Sequence, residues 1–367
     1  MSVYKSLKAY WRGIRQVRKD TQLNVAKFLL DRQISDDEFC AENAKRVLLL
    51  RWDDKLGDCV MSTLLLNALK KYRPDIEVTC VVGNVSAVYL EGSGLVDRIE
   101  VVGRRGWNAA RQLSSLAGNY DLVIEPTSGM SAYELYALRQ LRGRHYVGYI
   151  KDAYSLFDLE IPEESIHFSE RYLFVARMLC GAVDSTFYLP DAAKERVLVE
   201  GLAKSFLTPK KKLVLVNLFA AGRHRCFNEQ QAVDLVQWWL DTWHDQCLII
   251  LIVPGKEDFV ARVVSSVNHP RVMASPVDSS FAMTVALIER SDLLFSPDTF
   301  VIHLASALNA PVVSVFSQDE HNYAAWRPLG DKVRVVFTAR PKSRKERVSV
   351  SAFSREELRE AIDAVLL

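Results

Sequence analysis

The segment RVLLLRWDDKLGD, residues 46–58, joins a short apolar run to a turn that carries three acids, a lysine and a glycine. Consecutive Val and Leu residues without polar alternation are typical of a parallel strand that is buried on both faces. The following stretch MSTLLLNALKKY (61–72) has apolar residues at helical spacing, and Pro74 comes just after it. The segment therefore predicts a strand, a charged turn and a helix, which begin a βαβ unit.

The same alternation of strand and helix continues along the chain. Further strands are predicted in IEVTCVVG (76–83), DRIEVVG (97–103), YDLVIEPT (120–127) and HYVGYI (145–150). After a connecting segment at about 188–210, a second series contains KLVLVNLFA (212–220), CLIILIVPG (247–255), DLLFSPD (292–298) and PVVSVFS (311–317). This pattern predicts an α/β protein with two Rossmann-like domains, whose parallel sheets face a central cleft.

The chain length supports two domains, because 367 residues exceed what one hydrophobic core usually holds. We predict a basic helical extension at 1–45, a first Rossmann-like domain at 46–195 and a second at 205–345. A C-terminal helix is expected at 350–367, packing back on the first domain.

Composition narrows the classes of function. The formal net charge of +2 gives no reason to expect a nucleic-acid partner, and the six cysteines lack C-x-x-C spacing, which favours reduced thiols in the cytoplasm. The sequence shows neither a signal peptide nor an apolar run of membrane-spanning length. It also lacks a P-loop and G-x-G-x-x-G, which argues against nucleoside triphosphatases and NAD-dependent dehydrogenases.

The N-terminal extension is strongly basic. Residues 1–33 carry eight Lys and Arg residues against two Asp, with Tyr10, Trp11, Ile14 and Val17 at helical spacing among them. One interpretation is an amphipathic helix that lies on the anionic inner leaflet of a membrane. The alternative is a helix packed on its own domain with a solvated basic face.

The acidic turn lies at the carboxyl end of the first predicted strand, where open α/β sheets bind ligands. Gly57 is expected to allow a tight bend, and Asp58 to begin or directly precede the helix. Helix capping alone would explain Asp58, but it leaves Asp53, Asp54 and Lys55 unexplained. An Asp in this place can accept a proton from a hydroxyl group.

A second candidate cluster is SPDTFVIH, in which Asp298 and Thr299 lie between a predicted strand and helix, and His303 follows one turn later. Backbone N–H groups at a helix start favour a diphosphate. The alternative is a capped helix with a half-buried histidine.

Two further loops follow strands of the second domain. Arg225 lies in AAGRHRCFNE and suits a bidentate phosphate contact, unless that loop is merely solvated. Glu257 lies in VPGKED, where a carboxylate can hold ribose or sugar hydroxyls, although a surface glutamate would look the same.

In this order the motifs resemble bacterial glycosyltransferase family nine, the lipopolysaccharide heptosyltransferases, over about residues 46–340. The specific matches are R-x-D-x-x-x-G-D followed by S-T-L-L-L-N-A-L-K, and D-T-x-x-x-H-L-A-S-A-L-x-A-P-V-V-x-V-F ahead of W-R-P. The resemblance implies a GT-B fold and inverting transfer from a nucleotide-diphosphate heptose, usually ADP-heptose. It implies no obligatory metal and no cofactor besides the donor substrate.

The resemblance also assigns roles to residues. Asp58 matches the proposed catalytic base, and the family's donor motif falls on Asp298, Thr299 and His303. Glu257 matches a family glutamate on the donor side. The family's basic residue, usually Lys, falls on Arg225.

Two departures from the family pattern are evident. Phe300 replaces a glycine of the donor motif, and Arg225 replaces the usual Lys. Each indicates an altered donor, a shifted phosphate position or reduced activity.

The acceptor side is expected to include Lys55 and Gly57. Arg139, Arg142 and Arg144 are candidates for the anionic groups of a glycolipid acceptor, or else form a solvated helix end. The expected function is a metal-independent glycosyltransferase at the cytoplasmic face of the inner membrane. The alternatives are a catalytically weak binding protein of glycan assembly and a GT-B nucleotide-sugar epimerase.

Overall fold

The computed structural model describes residues 2–118, 120–184, 186–208, 210–277, 280–341 and 346–366, and of these the side chains of residues 2–9 and 12 are not described. The chain divides into two compact units, Met1–Thr186 (unit 1) and Phe187–Leu367 (unit 2). The N-terminal extension therefore belongs to unit 1.

Unit 1 is built on a parallel sheet. Its strands are β1 (Arg46–Arg51), β2 (Glu77–Val82), β3 (Arg98–Val101), β4 (Leu122–Glu125), β5 (His145–Tyr149) and β6 (Leu159–Ile161). Its helices are α1 (Ser2–Leu30), α2 (Leu56–Tyr72), α3 (Asn84–Leu90), α4 (Trp107–Leu113), α5 (Ala132–Leu141) and α6 (Phe168–Cys180).

The strands of unit 1 pair in the order β3-β2-β1-β4-β5-β6. The order reverses between β1 and β4, which makes the loops after these two strands the expected ligand-binding position of such a sheet. β1 is buried from Val47 to Arg51, because helices cover both faces of the sheet.

Unit 2 repeats this architecture. Its strands are β7 (Lys212–Val216), β8 (Gln246–Ile250), β9 (Val272–Ala274), β10 (Leu293–Pro297), β11 (Val312–Phe316) and β12 (Val333–Phe337). Its helices are α7 (Ala193–Phe206), α8 (Glu229–Thr242), α9 (Glu257–Val267), α10 (Phe281–Arg290), α11 (Phe300–Ala307), α12 (Glu320–Trp326) and α13 (Arg355–Leu366). The order β12-β11-β10-β7-β8-β9 places the reversal between β7 and β10.

The predicted α/β class with two parallel sheets is confirmed, but several elements were missed. The segment predicted to connect the domains at about 188–210 contains α7. The prediction also lacked β6, β9 and β12, together with α6, α10 and α12. β6 and β9 are three residues long, which is too short to display a period of two.

The C-terminal helix was expected to pack back on the first domain, and this is corrected. Leu358 and Ile362 of α13 are buried in the hydrophobic core of unit 2. In addition, Trp243 Nε1 donates a hydrogen bond to Asp363 Oδ1 at 2.8 Å. The helix is therefore part of unit 2 and contributes to its hydrophobic core.

The last turns of α1 attach it to unit 1. Ala26 is buried in the core beside α5, and Lys27 Nζ lies 4.9 Å from the centroid of the Tyr154 ring. Asp31, just after the helix, accepts a hydrogen bond from the backbone N–H of Leu156 at 2.9 Å. The C-terminal end of the extension is thus part of the folded unit.

The rest of the described part of α1 exposes several large apolar side chains among its basic residues. Its exposed large apolar side chains are Tyr10, Trp11, Ile14, Val17, Val25, Phe28 and Leu29, and Phe28 reaches 84% exposure. No helix within the described ranges has the length and apolar character needed to cross a membrane.

Candidate active site

The acidic turn after β1 is organised around a buried arginine. Arg51, the last residue of β1, has a side chain that is only 2% exposed. Its Nη2 lies 3.0 and 3.2 Å from the two carboxylate oxygens of Asp53, and it also donates to Asp58 Oδ2. One guanidinium nitrogen therefore holds two carboxyl groups. Sequence reasoning included Arg51 in a motif but gave it no role.

The two carboxyl groups differ in proton affinity. Burial raises the pKa of Asp58 to about 7, although the charge of Arg51 opposes this. Burial acts in the same direction at Asp53 and is the largest single effect there. The charges of Arg51, Lys55 and Arg105 and a hydrogen bond with Asp58 together outweigh it, so the pKa of Asp53 is lowered. A carboxyl group that titrates near neutral pH is suited to accept a proton in catalysis.

The remaining residues of the turn have distinct positions. Asp54 has a positive φ of 52°, and its Oδ1 accepts hydrogen bonds from the backbone N–H groups of Val85 and Ser86 at 3.0 and 3.1 Å. It therefore caps α3, where its negative charge also suits the helix dipole. Lys55 is exposed and lies 3.7 Å from Asp53.

The expected tight bend at Gly57 is corrected. Gly57 is the second residue of α2, and Lys55 is the residue before that helix. Asp58 is consequently in the first turn of α2, one position beyond Gly57, where a negative charge is favoured by the helix dipole. The left-handed residue of the turn is Asp54.

Other buried charges lie at the same edge of the unit 1 sheet, and sequence reasoning missed them. Lys151 follows β5, and its Nζ donates to the carbonyl oxygens of Thr127 and Gly129 at 2.5 and 2.8 Å. Burial lowers the pKa of Lys151, although nearby glutamates oppose this. A charged residue directly after a buried strand was the available signal, as in HYVGYIK.

Arg171 of α6 is held in the same region. Its guanidinium donates to the carbonyl oxygens of Ser165, Pro126 and Ile166 at 2.9–3.0 Å. It also stacks on the Tyr149 ring, with 3.5 Å between Cζ and the ring centroid. These contacts give Arg171 a structural role in shaping the loops after β4 and β6.

The three arginines proposed for the acceptor are not brought together with Asp58. Arg139 and Arg142 are at the C-terminal end of α5, and Arg144 directly precedes β5. This end of β5 is its amino end, whereas Asp58 follows the carboxyl end of β1, and a strand of five residues is about 16 Å long. Arg144 instead pairs with Asp37 at 2.5 Å.

In unit 2, an ion pair joins the loops on both sides of the strand-order reversal. Arg225, in the loop after β7, places Nη2 2.6 Å from Asp298 Oδ2 and also donates to the Asp298 carbonyl oxygen. Asn322 Nδ2 donates to Asp298 Oδ2 at 2.9 Å. The Arg225 side chain is still 32% exposed. A cation is therefore fixed next to the start of α11.

The donor motif surrounds this start. Thr299 is the residue before α11, and its hydroxyl makes no capping hydrogen bond to the described helix. His303, one turn later, is buried with its ring 6.0 Å from that of Trp326. Phe300 packs edge-on against Phe281 of α10, with 5.9 Å between the two ring centroids.

Glu257 is the first residue of α9, and it is half-buried. Its Oε1 accepts a hydrogen bond from the backbone N–H of Gly255 at 3.0 Å, and Gly255 has a φ of 75°. The carboxylate therefore closes the turn after β8, at the same edge of the sheet as Arg225 and Asp298.

The clusters of both units combine carboxylates and cations in positions where Rossmann-like sheets bind ligands. Among the residues that the structure describes, no group of three or more His, Cys, Asp or Glu residues is arranged to hold a metal ion.

Comparison with known proteins shows which proteins this chain is similar to. Residues 242–353 match the model of "Glycosyltransferase family 9 (heptosyltransferase)". Lipopolysaccharide heptosyltransferase 3 of Escherichia coli is 21% identical over 302 residues, which cover 76% of this chain and 84% of that protein. The chain is similar to the family 9 heptosyltransferases.

Solved structures of family 9 proteins have the same fold. A family 9 glycosyl transferase from Veillonella parvula aligns with a TM-score of 0.64 at 17% identity, covering 88% of this chain and 97% of its own. E. coli heptosyltransferase WaaC with ADP aligns with a TM-score of 0.58 at 17% identity. The alignment covers 88% of this chain and 99% of the WaaC chain. The predicted GT-B type of fold is thereby confirmed.

Proposed function

We propose that this protein is an inverting glycosyltransferase that moves a heptose from a nucleotide-diphosphate sugar, ADP-heptose, to a lipopolysaccharide core or related surface glycan. The observation that carries the proposal is the buried Asp58 carboxyl group at the carboxyl end of β1, held by Arg51. The family relationship supports the substrate class, and the donor base and sugar are the finer part of the proposal.

In the proposed reaction, the oxygen of an acceptor hydroxyl attacks the anomeric carbon of the donor. The bond from that carbon to the diphosphate breaks, and its electron pair leaves with the diphosphate. Asp58 accepts the hydroxyl proton. Attack and departure on opposite faces of the carbon invert its configuration.

The residues around α11 are suited to the leaving diphosphate. Arg225 supplies a cation held by Asp298, while Thr299 and His303 can supply hydrogen bonds. The N-terminal end of α11 adds a positive dipole end. Together they stabilise developing negative charge without a metal ion in the proposed step. Glu257 is assigned to sugar hydroxyls of the donor.

Lys55 and Gly57 are assigned to the acceptor because they come just before Asp58, where the turn leads into α2. The exposed Lys55 ammonium group is suited to a phosphate or carboxylate of an anionic glycolipid. Arg139, Arg142 and Arg144 are left out of this assignment because they lie at the opposite edge of the sheet.

The donor side is tested by thermal unfolding with ADP and ADP-heptose. Both ligands should raise the melting temperature of the native protein, and Arg225→Ala should weaken the shift. Arg223→Ala is the matched control, since Arg223 is exposed in the same loop. An unchanged melting curve at millimolar ligand would contradict the assigned donor site.

The chemistry is tested by donor turnover with a heptose-deficient lipopolysaccharide acceptor. Asp58→Asn should lower the rate by about a hundredfold or more, because it removes the general base. Product analysis by NMR should show an inverted anomeric centre. Donor binding without turnover would instead identify a binding protein, and release of a converted sugar nucleotide without acceptor would identify an epimerase.

We also propose that α1 holds the protein on the cytoplasmic surface of the inner membrane. Its exposed Trp11 and Phe28 are large apolar anchors, and the basic sequence around them suits anionic lipid. The Trp11→Ser/Phe28→Ser variant should sediment less with phosphatidylglycerol vesicles. The control is Val197→Ser/Leu198→Ser in unit 2, where both residues are also exposed. Equal sedimentation of all three proteins would contradict the proposal.

A further inference from the structure

The arrangement around Asp58 contains more than a single base. Arg51 Nη2 contacts both oxygens of Asp53 as well as Asp58 Oδ2. The carboxyl groups of Asp53 and Asp58 also hydrogen-bond each other when one of them is protonated. Two acids and one cation thus form a compact buried triad, which we call the Asp–Arg–Asp triad.

The surroundings of the triad make its charges interact strongly. The Arg51 guanidinium lies 5.8 Å from the centroid of the Phe168 ring. Within the described part of the chain, Arg51 Nε and Nη1 and the Tyr172 hydroxyl are buried without a hydrogen-bond partner. Little water screens the three charges, so a change in the charge of one group alters the pKa values of the other two.

Other titratable or charged groups also act on the triad, from several elements. They are Lys55 in the turn, Cys59 of α2, Arg105 after β3, Glu125 of β4, and Arg171 and Tyr172 of α6. Of these, Lys55 is the highly exposed one, with 66% of its side chain accessible. None of these groups contacts both acids as Arg51 does. Arg51 and Asp53 therefore have the largest electrostatic effects on the Asp58 carboxyl group.

We propose that Arg51 and Asp53 are positioning residues for Asp58: Arg51 fixes the orientation of its carboxyl group, and Asp53 shares the charge of Arg51 so that Asp58 is only partly neutralised. The inference rests on the proposed function. In the transfer step the proton leaves the acceptor hydroxyl and binds Asp58, where the ionised Asp53 accepts a hydrogen bond from it. Asp53 and Asp58 therefore hold one proton as a pair, and their titration belongs to the pair.

The proposal predicts pH shifts of opposite sign for two variants. Asp53→Asn removes a negative charge, so Asp58 ionises more readily and the acid limb of the rate profile moves down by about one pH unit or more. Arg51→Met removes the positive charge, so the limb moves up. Arg51→Lys keeps the positive charge, so its acid limb should lie close to the wild-type pH. Its rate should stay reduced, because an ammonium group lacks the geometry of the guanidinium. A purely structural role would lower the rate without moving the limb.

The experiment measures transfer rates from pH 5 to pH 9 for the full-length protein and its variants. A second readout is the carboxyl ¹³C chemical shift of labelled aspartates, with Asp58 assigned by comparison with Asp58→Asn. Asp54→Asn is the matched control, because this acid of the same turn caps α3 and should leave both readouts unmoved.

The outcomes separate the proposal from the function on which it rests. If no transfer occurs, the proposed function fails, and the NMR titration alone decides on the triad. If Arg51→Met does not fold, Asp53→Asn and Arg51→Lys still decide. The proposal is supported if the midpoint of the Asp58 titration lies at lower pH in Asp53→Asn than in wild type. A midpoint at the same or a higher pH in that variant overturns it.

Discussion

Replacing Asp58 with asparagine should remove a specific pH dependence of stability from unit 1. In the folded protein the pKa of Asp58 is raised to about 7, mainly because the carboxyl group is buried. Folding therefore favours the protonated form. Between about pH 4 and pH 7 the folded state binds more protons than the unfolded state, so stability falls as the pH rises through this window.

The size of the effect follows from the raised pKa. The difference between an ordinary aspartate and a value of about 7 corresponds to about 4 kcal/mol over the full window. Between pH 5 and pH 8 the loss is about 3 kcal/mol, because part of the window lies below pH 5. Asparagine has nearly the same shape and does not titrate, so the variant should lack this loss.

The measurement must report on unit 1 separately, because a protein of two units need not unfold in one step. Hydrogen exchange of peptides from β1 and α2, corrected for its intrinsic pH dependence, provides local unfolding free energies at pH 5 and pH 8. Asp36→Asn, at an exposed position, is the control for loss of an acid. An equal pH dependence in wild type and Asp58→Asn would refute the reasoning, since it would mean that Asp58 is ionised at pH 5.

Two further predictions concern single hydrogen bonds. Asp54→Ala should destabilise unit 1 by about 1 kcal/mol, because it removes the cap of α3, whereas Asp54→Asn should keep most of that stability; thermal unfolding measures both. Gln246→Leu should destabilise unit 2 by roughly 1–3 kcal/mol in urea unfolding, because the buried Trp239 Nε1–H loses its acceptor at 2.7 Å. Equal stability of Gln246→Leu and wild type would contradict the assignment.

The sequence was most informative where function and fold depend on neighbouring residues. The strand β1, a helix after the charged turn and the helix start after Thr299 were predicted as they are found. The bend at Gly57 was not, because that residue lies inside α2. These elements are recognised by local periodicity and by motif spacing. The strands β6 and β9 were missed because three residues cannot display a pattern.

Contacts between distant residues explain the remaining errors. The turn appeared to have too many acids because Asp54 caps a helix that begins thirty residues later, and no local window contains both. Asn322 reaches Asp298 in the same way, from α12. The assignment of Arg139 and Arg144 to the acceptor was an avoidable error, however. In a parallel sheet a connecting helix ends at the amino edge, so its last turn lies away from the ligand-binding edge.

Gly83 connects the acidic turn to a position that looks unrelated in the sequence. A Cβ atom at residue 83 would come within 2.2–2.3 Å of the Asp54 side chain, so any larger residue must displace that aspartate. A single methyl group just after β2 would thereby displace the turn that leads to Asp58. Substitution of this glycine is accordingly expected to lower the proposed sugar transfer from a distance, and a screen for variants of low activity should recover it alongside Asp58 itself.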